Sequence, residues 1–142
     1  LSNDIARVEE RILAFVDDRP GVLFGWSHGA FAARDILMAS AKDPAFEPLS
    51  RRFRGLVLMA AKASPDAPLL AKVGITRVVF ACGEFDAART TMVASAASLA
   101  KAGLETRFVS LGKIGHRWPE DFEERMRAPI ARRVNFISST LR

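Results

Sequence analysis

Four short apolar runs recur along the chain: Val22-Leu23-Phe24, Leu56-Val57-Leu58-Met59, Ile75 to Ala81 and Thr106 to Leu111. None is long enough to be a helix, and none alternates cleanly between apolar and polar residues, as a strand with one wet face would. Helix-patterned segments separate them. Short strands that are apolar on both faces need cover on both faces. The alternation therefore predicts an α/β protein in which a parallel sheet is flanked by helices in three layers.

The segments between the runs support this reading. Residues 4–16 carry Ile5, Val8, Ile12, Phe15 and Val16 on one helical face, with Ser2 or Asn3 able to cap the start. Asp17 to Gly21 reads as a turn. A helix is expected from His28 to about Ala41, a loop over 42–52 with its two prolines, and a short helix after Ser64-Pro65-Asp66. An alanine-rich helix over 87–102 is closed by Gly103 at a C′ position. The last helix is expected to start with Pro119 in its first turn, followed by Glu120 and Asp121, and to break or kink at Pro129. No repeat, low-complexity segment or linker divides the 142 residues, which suit one domain.

Composition excludes some functions. A single cysteine, Cys82, rules out an internal disulfide and a multi-cysteine metal site, and its apolar neighbours predict a buried, inert thiol. No apolar run approaches the ~18 residues that span a membrane, and no signal-peptide pattern is visible. The net charge is +5, with arginines at 51, 52, 54, 125, 127, 132 and 133. They alternate with acids and are not interleaved with aromatics, so solvated faces account for them better than nucleic-acid binding does.

In open α/β sheets, chemistry collects beyond the carboxyl ends of the strands. The first run is followed by Gly25-Trp26-Ser27-His28-Gly29, the third by Gly83-Glu84-Phe85-Asp86, and the fourth by Gly112-Lys113-Ile114-Gly115-His116. A serine, an acid and a histidine thus follow three strands of one sheet. A serine hydroxyl attacks only when a base takes its proton, an imidazole suits that task near neutral pH, and a carboxylate on the far ring nitrogen sets the tautomer. The glycines at 25 and 29 allow a sharp strand-to-helix turn.

A G-x-S-x-G match alone arises in roughly one chain in twenty of this length from average glycine and serine usage, so placement carries the argument. Of the two histidines, His28 adjoins the serine and points away on a sharp turn, leaving His116 as the base. Asp86 is the first choice of acid, Glu84 the second and Asp66 the third. The backbone N–H of His28 is placed to hold an oxyanion. Trp26 and Trp118 flank the site, either lining a pocket or simply packing.

This order and placement resemble the α/β-hydrolase superfamily, with the short loops of small serine esterases and prolyl-oligopeptidase-like catalytic domains. Gly25 to Gly29 match its nucleophile elbow, Gly83 to Asp86 its acid loop and Gly115-His116 its histidine loop. The resemblance implies a serine hydrolase acting on a small-molecule carboxylic ester, thioester or amide through an acyl-enzyme, with Ser27, His116 and Asp86 as the triad and no metal or organic cofactor. It covers the whole chain but only half of the fold, strands five to eight. Residues 1–142 are then expected to be the C-terminal portion of a hydrolase catalytic domain. The resemblance further implies that the edge at residues 22–24 pairs with an N-terminal half or with a second copy. It also implies that a second oxyanion donor, from a loop after strand three, lies outside this chain.

Overall fold

The computed structural model describes residues 21–129, so the helix expected over 4–16 and most of the turn after it lie outside the described residues. Four strands, β1 (Gly21–Trp26), β2 (Phe53–Met59), β3 (Arg77–Cys82) and β4 (Glu105–Ser110), form one sheet in the order β1-β2-β3-β4. Every neighbouring pair is parallel. Parallel neighbours need a crossover, and the helices supply it: α1 (His28–Lys42) and α2 (Glu47–Ser50) after β1, α3 (Ala67–Lys72) after β2, and α4 (Arg89–Lys101) after β3. A fifth helix, α5, spans residues 122–129.

The period-2 geometry of the strands sorts their side chains into two cores. On one face Leu56, Leu58, Val78 and Phe80 pack with Ile36 and Leu37 of α1, Leu70 of α3 and Met92 and Leu99 of α4. On the other, Val57, Met59, Val79 and Ala81 meet Leu111 and Met126, with Phe122 at the margin. Burying one such large apolar side chain fully contributes roughly 1.5–3 kcal/mol. At the amino ends of β3 and β4, Arg77 faces Glu105 in register and pairs with it at 2.7 Å.

The expected parallel sheet flanked by helices is observed, with three differences of detail. The stretch 42–52 is not a plain loop: Asp43 accepts a bond from the Ala45 N–H at 2.9 Å, Pro44 starts a 3₁₀ turn over Pro44–Phe46, and α2 follows, bridged by a Glu47–Arg51 ion pair at 2.6 Å. Aspartate then proline is a helix-start signal that outweighs the count of prolines. The last helix begins at 122, not at Pro119. The Asp121 carbonyl takes the first helical bond, from Arg125, and the Asp121 carboxylate binds the same arginine at 2.7 Å. Pro129 is still helical.

The third difference concerns β1. A buried strand was expected over residues 22–24, yet β1 runs on to Trp26, and Phe24 and Trp26 are each 38% exposed. Among the described residues β1 pairs only with β2, so it is a sheet edge.

Candidate active site

The turn from β1 into α1 is set by backbone contacts. A Cβ built on Gly25 falls 2.3 Å from the Gly29 carbonyl oxygen and 2.6 Å from the Ala30 Cα. Only glycine lets the helix start so close to the strand. Gly29 differs: a Cβ there meets nothing within 4 Å. The expectation that both glycines are needed therefore holds for the first and is corrected for the second. Ser27 sits between them at φ 52° and ψ −120°, in the left-handed region that non-glycine residues seldom adopt. Such a residue costs on the order of 1–3 kcal/mol and persists because its surroundings hold it. Its N–H donates to Met59 O at 2.9 Å, and its carbonyl accepts from Ala30 at 3.0 Å.

The acid and histidine loops are built against each other. Leu111 N–H donates to Cys82 O, Glu84 N–H to Gly112 O and Phe85 N–H to Ile114 O, at 2.9, 2.9 and 3.0 Å. A Cβ on Gly83 would lie 2.1 Å from the Ile114 carbonyl oxygen, so this glycine lets the two loops touch. Gly112, at φ +85°, turns the chain after β4, and a Cβ on it would stand 3.1 Å from the Arg125 guanidinium.

Those contacts bring three side chains into line. Ser27 Oγ lies 2.9 Å from His116 Nε2, and His116 Nδ1 lies 3.0 Å from Asp86 Oδ2. The other Asp86 oxygen accepts the Ala88 N–H at 2.7 Å, and the carboxylate is 2% exposed against 50% for the histidine side chain. With Nδ1–H donating to Asp86, the Nε2 lone pair faces the serine hydroxyl. The other two acids stand elsewhere. Glu84 is on the surface, with the Ser110 hydroxyl 3.5 Å away, beyond a firm bond. Asp66 caps α3 by accepting the Leu69 N–H at 3.0 Å.

His28 is the first residue of α1, so its N–H has no acceptor within the helix and stands next to Ser27. Trp26 stacks on His116, with ring centroids 5.8 Å apart and planes 20° apart. Trp118 meets Trp26 edge-on and packs on Phe122 at 4.2 Å. The sequence reading did not find Gly83, because its reason is a contact with a distant loop. It also did not find Ala60, which has φ 54° at the end of β2 and donates to Ala81 O.

Cys82 ends β3 and is buried. Burial pushes its thiol up to about 11, Asp86 adds to the rise and Arg89 opposes it. It stays a protonated thiol at neutral pH. Among the described residues no three His, Cys, Asp or Glu side chains gather as a metal would require, and no helix is long and apolar enough to cross a membrane.

No protein-family model matches the chain, and no curated protein matches it in sequence. A solved structure does: a variant of SOBER1 from Arabidopsis thaliana is similar with a TM-score of 0.57 over 94% of this chain, at 16% identity. SOBER1 has the α/β-hydrolase fold, and at this identity the likeness is one of fold. The chain spans 62% of the length of that protein. The four parallel strands, their covering helices and this likeness together support a hydrolase-like fold.

Proposed function

We propose that the protein is a serine hydrolase cleaving a small carboxylic ester, thioester or amide, in the manner of a serine esterase. The observation that carries this reading is the continuous hydrogen-bonded series from Ser27 Oγ through His116 to the buried Asp86. In the proposed mechanism Ser27 Oγ attacks the carbonyl carbon while its proton passes to His116 Nε2. The Asp86 carboxylate holds Nδ1–H and stabilises the imidazolium. The His28 N–H donates to the oxyanion. As the tetrahedral adduct collapses, Nε2–H protonates the leaving group, and the acyl group remains on Ser27. Water, losing a proton to the same nitrogen, then releases the acid. The scheme uses no metal or organic cofactor.

The reading extends to the rest of the fold. We propose that this chain is the C-terminal portion of the catalytic domain, and that β1 pairs with an N-terminal half or with a second copy. An apolar sheet edge is a template for such pairing. The second oxyanion donor then comes from that other half, and the absence of one donor typically costs ~10²–10³ in turnover. A second reading, a non-catalytic binding module of the same fold, draws on the half of that fold, with its oxyanion donor, that the resemblance places outside this chain.

Labelling with a fluorophosphonate, read by intact mass, separates the two. A single adduct on the wild type and none on Ser27→Ala is expected. An adduct that persists in Ser27→Ala, or none on wild type joined by its N-terminal half, overturns the hydrolase.

A further inference from the structure

Two hydrogen bonds hold the His116 ring, one toward Asp86 and one toward Ser27. Both leave the ring in its own plane. They fix the ring's position within that plane, but they resist only weakly a tilt that carries Nε2 out of it. The loop that carries His116 has neither helix nor strand, and half of the side chain is exposed. Something else must limit that tilt if Nε2 is to stay aimed at the serine hydroxyl.

Trp26 lies across that motion. Its ring faces the imidazole nearly in parallel, 20° apart, with centroids 5.8 Å apart, within the range of offset stacking. A tilt of the imidazole toward that side drives it into the indole. The indole is itself held: Trp118 meets it edge-on at 6.0 Å, and behind Trp118 stand Phe122 at 4.2 Å and Phe24 at 6.0 Å. Strand geometry explains the placement. Phe24 and Trp26 are two apart in β1 and share a face. The next residue, Ser27, leaves the strand through its left-handed turn.

We infer that Trp26 is a positioning residue for His116, resting on the serine-hydrolase reading above. The variable position of the G-x-S-x-G turn thereby gives nucleophile and base a common reference in β1. The same face has a second effect. When His116 takes the serine proton it becomes a cation beside an indole face, within about 6 Å of its centroid, where the ring quadrupole attracts it. That attraction arises as the imidazole takes the serine proton, so it acts on the rate and not on substrate binding.

The test compares Trp26→Leu, which removes the face, with Trp26→Phe, which keeps one. The expected result is a labelling rate with fluorophosphonate that falls about tenfold in Trp26→Leu. That value lies between the few-fold loss of a cation–π contact at an exposed site and the hundredfold loss of a misplaced group. Trp26→Phe recovers most of it. With p-nitrophenyl acetate the loss falls on kcat and leaves KM unchanged.

A second readout does not depend on turnover. In a Ser27→Ala background the His116 ring protons are expected upfield, shielded by the indole, and they return toward random-coil positions when Trp26 is leucine. His28→Gln assigns the two histidines. Equal labelling of wild type and Trp26→Leu, or no change in the His116 resonances, overturns the positioning role. A wild type that never labels but keeps the upfield histidine overturns the hydrolase and leaves the stack standing.

Discussion

The serine turn leads straight from strand into helix, whereas the histidine loop has neither helix nor strand and leaves half of the His116 side chain exposed. At the turn, Gly25 presses on the first residues of α1, and Ser27 is held in a strained conformation by Met59 and Ala30. The histidine loop takes its shape from Gly112, Ile114 and their bonds to the acid loop. A cleft of about 440 Å³ lies beside it, bounded by Ile114, Trp118 and Arg125. The strained residue is thus at a strand-to-helix junction, and the histidine proposed as the base is on an irregular, half-exposed loop. A nucleophile needs a fixed direction, and a base that must face both the serine and a leaving group tolerates some freedom.

The sharpest way to break this comparison is at the buried carboxylate that faces His116 Nδ1. Asp86→Asn keeps the size of the side chain and its acceptor for Ala88, but presents an amide to His116 Nδ1. The imidazole then carries its proton on Nε2, facing the serine. Labelling by fluorophosphonate is expected to slow by roughly 10³–10⁴, with the melting temperature little changed. Glu84→Gln, at the rejected acid, is expected to leave the labelling rate within about twofold, as befits an exposed side chain. A large effect at Glu84 and none at Asp86 would reverse the assignment.

Next come two substitutions of the same size on the two sides. Alanine at Gly25 places its Cβ 2.3 Å from a helix backbone oxygen, and alanine at Gly83 places its own 2.1 Å from the Ile114 carbonyl oxygen. The obstacle is backbone in both cases, but only one of the two can give way. Gly25→Ala is expected to cost about 3 kcal/mol or more, since α1 and β1 share the main core. Urea unfolding measures this. Gly83→Ala is expected to cost less, about 1–3 kcal/mol, while abolishing labelling, because the histidine loop moves off and takes His116 with it. Amide exchange should open at residues 111–117 and stay protected in β2 and β3. Equal destabilisation by the two variants would mean the histidine loop is as rigid as the turn.

The same contrast governs what was legible in the sequence. Strands β2 and β3 were readable from apolar runs, because full burial leaves a compositional mark. Ser27, Asp86 and His116 were nameable because the parallel topology sends every strand end to one side, so their places after the first, third and fourth strands implied a shared site. Asp86 over Glu84 followed from the family's acid loop, while the reason in the structure is burial and the bond to Ala88. Gly83 and the stacking of Trp26 were not legible, since each depends on a residue far along the chain. The edge position of residues 22–24 was expected from the resemblance, but an apolar run does not say how far its side chains are covered, and Phe24 is 38% exposed. The start of the last helix was missed because Pro119 looked like a first helical position, while the first helical bond runs from the Arg125 N–H to the Asp121 carbonyl.

The smallest expected effect separates the two glycines of the serine motif. Gly25 and Gly29 look equivalent in the sequence, two residues either side of Ser27, but only Gly25 has atoms in the way of a side chain. Gly29 is the second residue of α1, its φ is not left-handed, and a Cβ there points into open space. Alanine loses less backbone entropy than glycine when a helix forms. Gly29→Ala is therefore expected to stabilise the fold by about 0.5–1 kcal/mol, read as a rise in urea midpoint at constant slope. Labelling of Ser27 should stay within about twofold, because an alanine at the second helical position leaves the His28 N–H where it is. If Gly29→Ala instead kept its stability and lost labelling, that open space would belong to the bound substrate. The second glycine would then be a feature of recognition and not of the turn.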